Sequence, residues 1–168
     1  MTDKWNVFTE ARPYTTVSGI AFDSKGNFPL LHRSENVRSA RNCWSLPSGL
    51  HEVGLTMQEQ FSIELREEMG LITVPHTNRV ISDYENIRPD GDDKPGWHWV
   101  IKFMVVRVET LETLINNEPD KHDKIEIVNY LSNWWENRQW APKLGEFIFA
   151  NRDLITNKIE DLLMAKIP

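Results

Sequence analysis

The sequence predicts an α/β fold, and three observations carry that expectation. Runs of β-formers recur between turn clusters, two segments repeat their apolar residues at helical spacing, and the two kinds of segment are interspersed along the chain. The first strand is expected over 14–22, with Thr16, Ser18 and Ala21 among β-formers and aliphatic residues, and the cluster Asp23-Ser24-Lys25-Gly26-Asn27 turns the chain after it. A second strand begins over 29–32 and a third lies at 43–46. Thr56-x-x-Glu59 has the form of a capping box, so a helix starts at Met57, and Gly70 supplies the left-handed residue that stops it. Further strands are expected at 71–74, 79–84 and 97–108, with a polar loop over 86–96 placed to cover a site. Within 97–108, Trp97, Trp99, Ile101 and Phe103 point one way, while His98, Val100, Lys102 and Met104 point the other. A strand at 123–130 follows. A second helix over about 145–167, with Ile155, Ile159, Leu162 and Leu163 in register, is expected to pack on the sheet.

The helix after Met57 carries the chemistry. Met57, Phe61, Leu65 and Met69 recur every four residues as one apolar stripe. At about 100° per residue, Glu68 falls roughly 20° from Phe61 and Glu64 roughly 60° from it. Glu68 is thus expected on the core side and Glu64 at its margin, with Glu67 beside them. A carboxylate placed there needs a cation, a donor or a proton, because unpaired burial costs several kcal/mol. A divalent metal ion meets that need. The competing reading is a solvated helix rich in glutamate, a good helix former. A bare E-x-x-E-E does not decide between them; the glycine spacing, the helix start and stop, and the placement of the acids favour the metal.

The segment Gly49 to Leu71 resembles the Nudix box, G-x5-E-x7-R-E-U-x-E-E-x-G-U with U aliphatic. Gly49, Glu64, Leu65, Glu67, Glu68, Gly70 and Leu71 match, and Leu46-Pro47-Ser48 looks like the approach to it. Leu55 and Ile63 stand where the first glutamate and the arginine are expected. Their joint replacement by apolar residues is what an ion pair exchanged for a hydrophobic contact would leave. A second resemblance lies at Asn117-Glu118-Pro119-Asp120-Lys121, before the strand Ile125-Glu126-Ile127-Val128: Nudix proteins that cleave nucleoside triphosphates carry N-x-E-P-x-K there. Ile127 replaces the usual tryptophan, and Leu131-Ser132 the usual Leu-Pro. Without the box, Glu118 to Lys121 read as a solvated turn; with it, Glu118 or Asp120 is an equal candidate for an active-site acid.

The resemblance implies a Nudix-type α/β/α sandwich around a mixed β-sheet, formed as one domain over 1–168. It implies Mg²⁺, or Mn²⁺, held by Glu64, Glu67 and Glu68 with the Gly49 carbonyl, and Glu64, Glu67 or Glu118 as the acceptor of water's proton. Mg²⁺ takes oxygen ligands and accepts substrate phosphates into its shell. The implied activity is hydrolysis of a nucleoside diphosphate linked to another group, first a nucleoside triphosphate cut to a monophosphate and pyrophosphate. ADP-ribose, NADH or a capped RNA end is the alternative substrate, and a nucleotide-binding or sensor domain without turnover the alternative function. Arg41 and Lys121 are candidates for phosphate oxygens, and Trp99 for stacking on a base, although a loop arginine and a core tryptophan are the commoner roles. His51 has no second imidazole at ligand spacing and is not taken as a ligand.

Composition narrows the partners. The 168 residues are 40% apolar and 26% charged, with a formal charge of −6. That argues against a general nucleic-acid surface and for bridging cations with any polyanionic substrate. Cys43 is the lone cysteine, expected to be buried and inert, so no intrachain disulfide forms and a reducing cytoplasm is the expected location. No apolar run of membrane-spanning length is present. A homodimer is left open.

Overall fold

The computed structural model describes residues 13–88 and 97–165. Among the described residues seven strands and two helices follow in order: β1 (Tyr14–Phe22), β2 (Asn27–Arg33), β3 (Trp44–Ser45), β4 (Ser48–Leu50), α1 (Met57–Met69), β5 (Arg79–Arg88), β6 (Trp97–Arg107), β7 (His122–Asn129) and α2 (Leu144–Met164). One sheet runs β4-β1-β6-β5 and is mixed, because β1 lies parallel to β6 while β4 and β5 are antiparallel to their neighbours. The other runs β3-β2-β7, antiparallel throughout.

Strand alternation sends two apolar sets to opposite faces. Val17, Ala21, Leu31, Met104, Val106 and Val108 meet Phe61, Leu65 and Met69 of α1, the stripe that the four-residue repeat predicts. Ile20, Phe22, Phe28, Leu30, Phe103 and Val105 meet Phe147, Ile148, Ile155, Ile159 and Leu162 of α2. The result is the expected α/β/α sandwich, with α1 on one face and α2 on the other.

The ends of α1 are fixed locally. Thr56 Oγ1 accepts the Glu59 N–H at 3.2 Å, and Glu59 Oε2 accepts the Thr56 N–H at 2.8 Å, which closes the capping box. Gly70, at φ 67°, donates its N–H to the Arg66 carbonyl at 2.9 Å and ends the helix.

Three expectations need correction. Residues 71–74 are not a strand: Thr73 makes only an isolated bridge to Val108, and Pro75 with His76 at φ 63° turns the chain away from the sheet. The strand expected at 43–46 shortens to Trp44–Ser45, and pairing resumes as β4 on a different sheet. Pro47 sits between them with no N–H to donate to a ladder, while its carbonyl accepts the Gly19 N–H at 3.2 Å. Residues 86–88 are strand rather than loop, since Asn86 and Ile87 continue the pairing with Trp99 and His98. The rest of that loop, 89–96, lies outside the described residues, as do 166–167 of the helix expected to end there. Among the described residues no helix is long and apolar enough to cross a membrane.

Candidate functional site

The carboxylates of α1 meet the sheet at β4. Antiparallel pairing sets Gly49 opposite Val17, on the face that α1 covers. A Cβ at Gly49 would lie 1.8 Å from Glu64 Cδ and 1.9 Å from its Oε1, so the Glu64 carboxylate rests directly against this backbone. Glycine is needed here for close approach, not for an unusual φ. One turn on, Glu68 is only 7% exposed, and its Oε2 accepts the Ser48 N–H at 3.3 Å. Glu67 is on the exposed side of the helix. This is the order of burial that the helical angles predict.

A loop about fifty residues on in the sequence closes on the same place. The Asn117 N–H donates to the Glu68 carbonyl at 3.0 Å and its Nδ2 to the Glu67 carbonyl, also at 3.0 Å. Both carbonyls belong to the last turn of α1, where intrahelical donors run out. Asn116 Oδ1 accepts the Glu118 N–H at 3.1 Å, and Ser34 Oγ donates to the Asp120 carbonyl at 2.6 Å. The loop is thus pinned to α1 and to the residue after β2. Glu118 Oε1 pairs with Lys121 Nζ at 2.5 Å, while Glu118 Oε2 is buried with no hydrogen-bond partner. We expect Asn117→Ala to cost about 0.5–1 kcal/mol, as the Glu67 carbonyl loses its side-chain donor while the backbone N–H to Glu68 stays, and to speed amide exchange over 115–122. Urea melts and hydrogen exchange read these two effects.

The acids raise one another. Burial pushes the Glu68 carboxyl up to about 8, aided by Glu118 and Glu64 and opposed by the Ser48 N–H and Lys121. Burial likewise raises Glu64, against the hydrogen bond that Gln60 Nε2 donates to its Oε1 at 2.7 Å; Glu67 and Glu118 add to the rise. A cluster of half-buried and buried carboxyls that must take either protons or cations is therefore built into the fold. Among the described residues no three acids are already drawn together as a ligand set. Glu64 is tied to Gln60 and Glu118 to Lys121, so side-chain rotations would be needed to gather them. The donors still suit a hard divalent ion: all are oxygens, and the buried Glu118 Oε2 lacks a partner.

Three residues that the sequence reading did not single out belong to this neighbourhood. Gln60 is 1% exposed and holds Glu64, while its Oε1 accepts the Glu52 N–H at 3.0 Å; its spacing of four from Glu64 was the available signal. Arg33 ends β2 with its Nε and Nη2 on the Ser39 carbonyl at 3.2 and 3.0 Å. Burial lowers its pKa, and the charge of Glu68 opposes that shift. His122, 4% exposed and paired with Arg33 across the sheet, is pushed down to about 4 by burial first and then by Arg33, so it is neutral at pH 7. Nothing local in the sequence marks Arg33 or His122; the β2–β7 register brings them together.

Other candidates stand apart. Trp99 packs at a tilt against Tyr14 with ring centroids 5.0 Å apart, and alternation with Phe103 puts it on the α2 face, opposite the carboxylates. Arg41 is exposed, and its Nε donates to the Val37 carbonyl at 2.8 Å within its own loop. His51 Nε2 meets the Leu55 carbonyl at 2.7 Å, in keeping with a structural role. Cys43 is buried. Leu55 and Ile63 line one open cleft of about 450 Å³ with Ser62, Thr73, Val74 and Asn78. They share an environment, as an exchanged ion pair would. Leu55→Glu and Ile63→Arg should each lower the melting temperature, and together lower it less than the sum, with a coupling of about 0.5–1 kcal/mol in a thermal double-mutant cycle.

Comparison with known proteins bears on the whole arrangement. The family model described as the NUDIX domain matches residues 12–149. No curated protein matches the chain. The fold is similar to the MutT protein from Methanosarcina mazei Go1 at 20% identity and a TM-score of 0.58, covering 90% of this chain and 96% of that one. It is similar to a MutT NUDIX hydrolase from Burkholderia pseudomallei at 18% identity and a TM-score of 0.58, over 71% and 84% of the two chains. A MutT/nudix family protein from Enterococcus faecalis gives 16% identity and a TM-score of 0.65, over 96% and 73%.

Proposed function

The chain belongs to the Nudix family of hydrolases, which act on nucleoside diphosphate derivatives, and we propose that it is a divalent-metal-dependent pyrophosphohydrolase of nucleoside triphosphates. The observation that supports this most is the buried Glu68 carboxylate set among Glu64, Glu118 and the Gly49 backbone, an accumulation of oxygen donors that is unfavourable without a cation. Glu64, Glu67 and Glu68, with the Gly49 carbonyl, would hold Mg²⁺ or Mn²⁺. Such an ion would supply screening of the phosphate charge and would ease the loss of water's proton.

The chain's own residues supply the rest. Glu118, with one oxygen free of hydrogen bonds, accepts the proton of the attacking water. That water bonds to the α-phosphorus as the bridging oxygen leaves, so a triphosphate yields a nucleoside monophosphate, pyrophosphate and a proton. Lys121 balances the acids and takes a phosphate oxygen once Glu118 is engaged. Arg33, beside Glu68, offers the donors not used on Ser39. Gln60 keeps Glu64 aimed at Gly49 between turnovers.

Incubation with Mg²⁺ and a nucleotide panel tests this. Pyrophosphate release from triphosphates is expected; ribose phosphate from ADP-ribose would replace the first reading by the alternative. A second reading, a nucleotide sensor without turnover, is favoured by one observation: Leu55 and Ile63 leave apolar a place where the family pattern is charged. Nucleotide binding with no product from any substrate would establish it.

A further inference from the structure

The face of the mixed sheet that carries α1 changes character along β6. Val108, Val106 and Met104 are fully buried beneath the helix, and the next residue on that face is Lys102, which is partly open to solvent. Register places Lys102 in one row with the carboxylate centre: Gly49 on β4 pairs with Val17 on β1, Val17 with Lys102 on β6, and Lys102 with Asp83 on β5. With strands about 4.8 Å apart, the Lys102 backbone lies about 10 Å from Gly49, on the side where the Glu64 carboxylate rests. The Lys102 ammonium is paired with Asp83, whose side chain is 52% exposed. Arg33 and Lys121 both interact with Glu68, whereas Lys102 stands on the same sheet face two strands across from Gly49.

We infer that Lys102 is a specificity-determining residue that takes an anionic phosphate of the substrate lying outside the metal-held diphosphate, with Asp83 parking the ammonium when no substrate is present. This rests on the pyrophosphohydrolase reading and narrows it to substrates with a third phosphate. The binding energy would come from exchanging Asp83 for phosphate, so the two partners have opposite effects. A cross-strand pair that only stabilises the sheet would make them alike.

The test uses the full chain with Mg²⁺ and three proteins: wild type, Lys102→Met and Asp83→Asn. Calorimetry measures the Kd of an α,β-methylene nucleoside triphosphate and of the corresponding methylene diphosphate, and kinetics gives KM and kcat for the natural triphosphate. Lys102→Met is expected to weaken the triphosphate analogue about tenfold, raise KM in step and leave kcat within about twofold, with the diphosphate analogue unchanged. Asp83→Asn is expected to bind the triphosphate analogue as tightly as wild type or tighter. Equal weakening by both variants, no weakening by Lys102→Met, or equal losses for both analogues would overturn the inference. Wild type that binds the analogue without turning over substrate would sink the hydrolase reading alone, since the Kd contrast is still read; wild type that binds neither analogue would overturn both.

Discussion

Replacing Glu68 by glutamine is expected to lower turnover by orders of magnitude and, in the metal-free protein, to raise stability. The two effects share one cause. Glu68 is buried against the Ser48 N–H, its carboxyl pushed up to about 8, against an ordinary value near 4.5 in the unfolded chain. Between those two values the native state holds a proton that the unfolded state releases, so the contribution to stability falls as pH rises through the window and is fully lost above the folded value. At pH 8 the ionised carboxylate costs the metal-free fold something on the order of a few kcal/mol. Glutamine has the same shape and no charge to desolvate. Its amide nitrogen would meet the Ser48 donor poorly, but its oxygen can keep that bond. Metal-free Glu68→Gln should therefore melt several degrees above wild type at pH 8 and close to it at pH 5, where the wild-type carboxyl is protonated in the native state. Added Mg²⁺ should raise the wild-type melting temperature and leave the variant unmoved. Turnover should fall about 10²–10³-fold, the scale of losing a group that fixes transition-state charge. A variant with normal metal-dependent rates, or one that melts below wild type at pH 8, removes Glu68 from the site.

Legibility of the sequence followed the range of the interactions. Everything carried by α1 itself was visible: the Thr56–Glu59 box, the stripe from Met57 to Met69, the Gly70 stop and the graded burial of Glu68, Glu64 and Glu67. Each depends on residues within one or two turns. The second helix and most strands are visible through their periodicity, to within about three residues. Sheet order is not, because the parallel pairing of β1 with β6 joins residues 85 positions apart and no local pattern encodes it. Residues 71–74 carry no such signal, because a short apolar run beside a turn looks the same whether or not it finds a partner strand. Trp99 was offered as a stacking residue from its chemistry, and only the alternation of β6 against the two cores puts it on the α2 face. Arg33 and His122 carried no motif. They enter through the register of β2 on β7, and His122 is neutral for a reason, burial beside an arginine, that no sequence spacing expresses.

Two glycines thirty residues apart are expected to respond to alanine in opposite ways. At Gly19 an added Cβ would lie 2.0 Å from the Met104 carbonyl oxygen, 2.7 Å from its carbon and 2.8 Å from its nitrogen. Those are backbone atoms of the neighbouring strand in the parallel β1–β6 pair, and they cannot move without opening the centre of the mixed sheet. Gly19→Ala should cost about 3 kcal/mol or more and leave little folded protein. At Gly49 the clash is more severe in distance and cheaper in consequence. All three atoms that the Cβ would meet belong to the end of the Glu64 side chain, at 1.8, 1.9 and 2.2 Å. Glu64 is half-buried and can swing outward, giving up the hydrogen bond from Gln60. Gly49→Ala should thus fold with a melting temperature near that of wild type, yet lose metal affinity and turnover by about 10²-fold, because the carboxylate no longer stands where the backbone and Glu68 face each other. The comparison separates a glycine kept for sheet packing from one kept for the site. Circular dichroism melts with and without Mg²⁺, alongside rates, decide it: if Gly49→Ala unfolds, or folds and turns over normally, the close approach of Glu64 to β4 does not serve the chemistry.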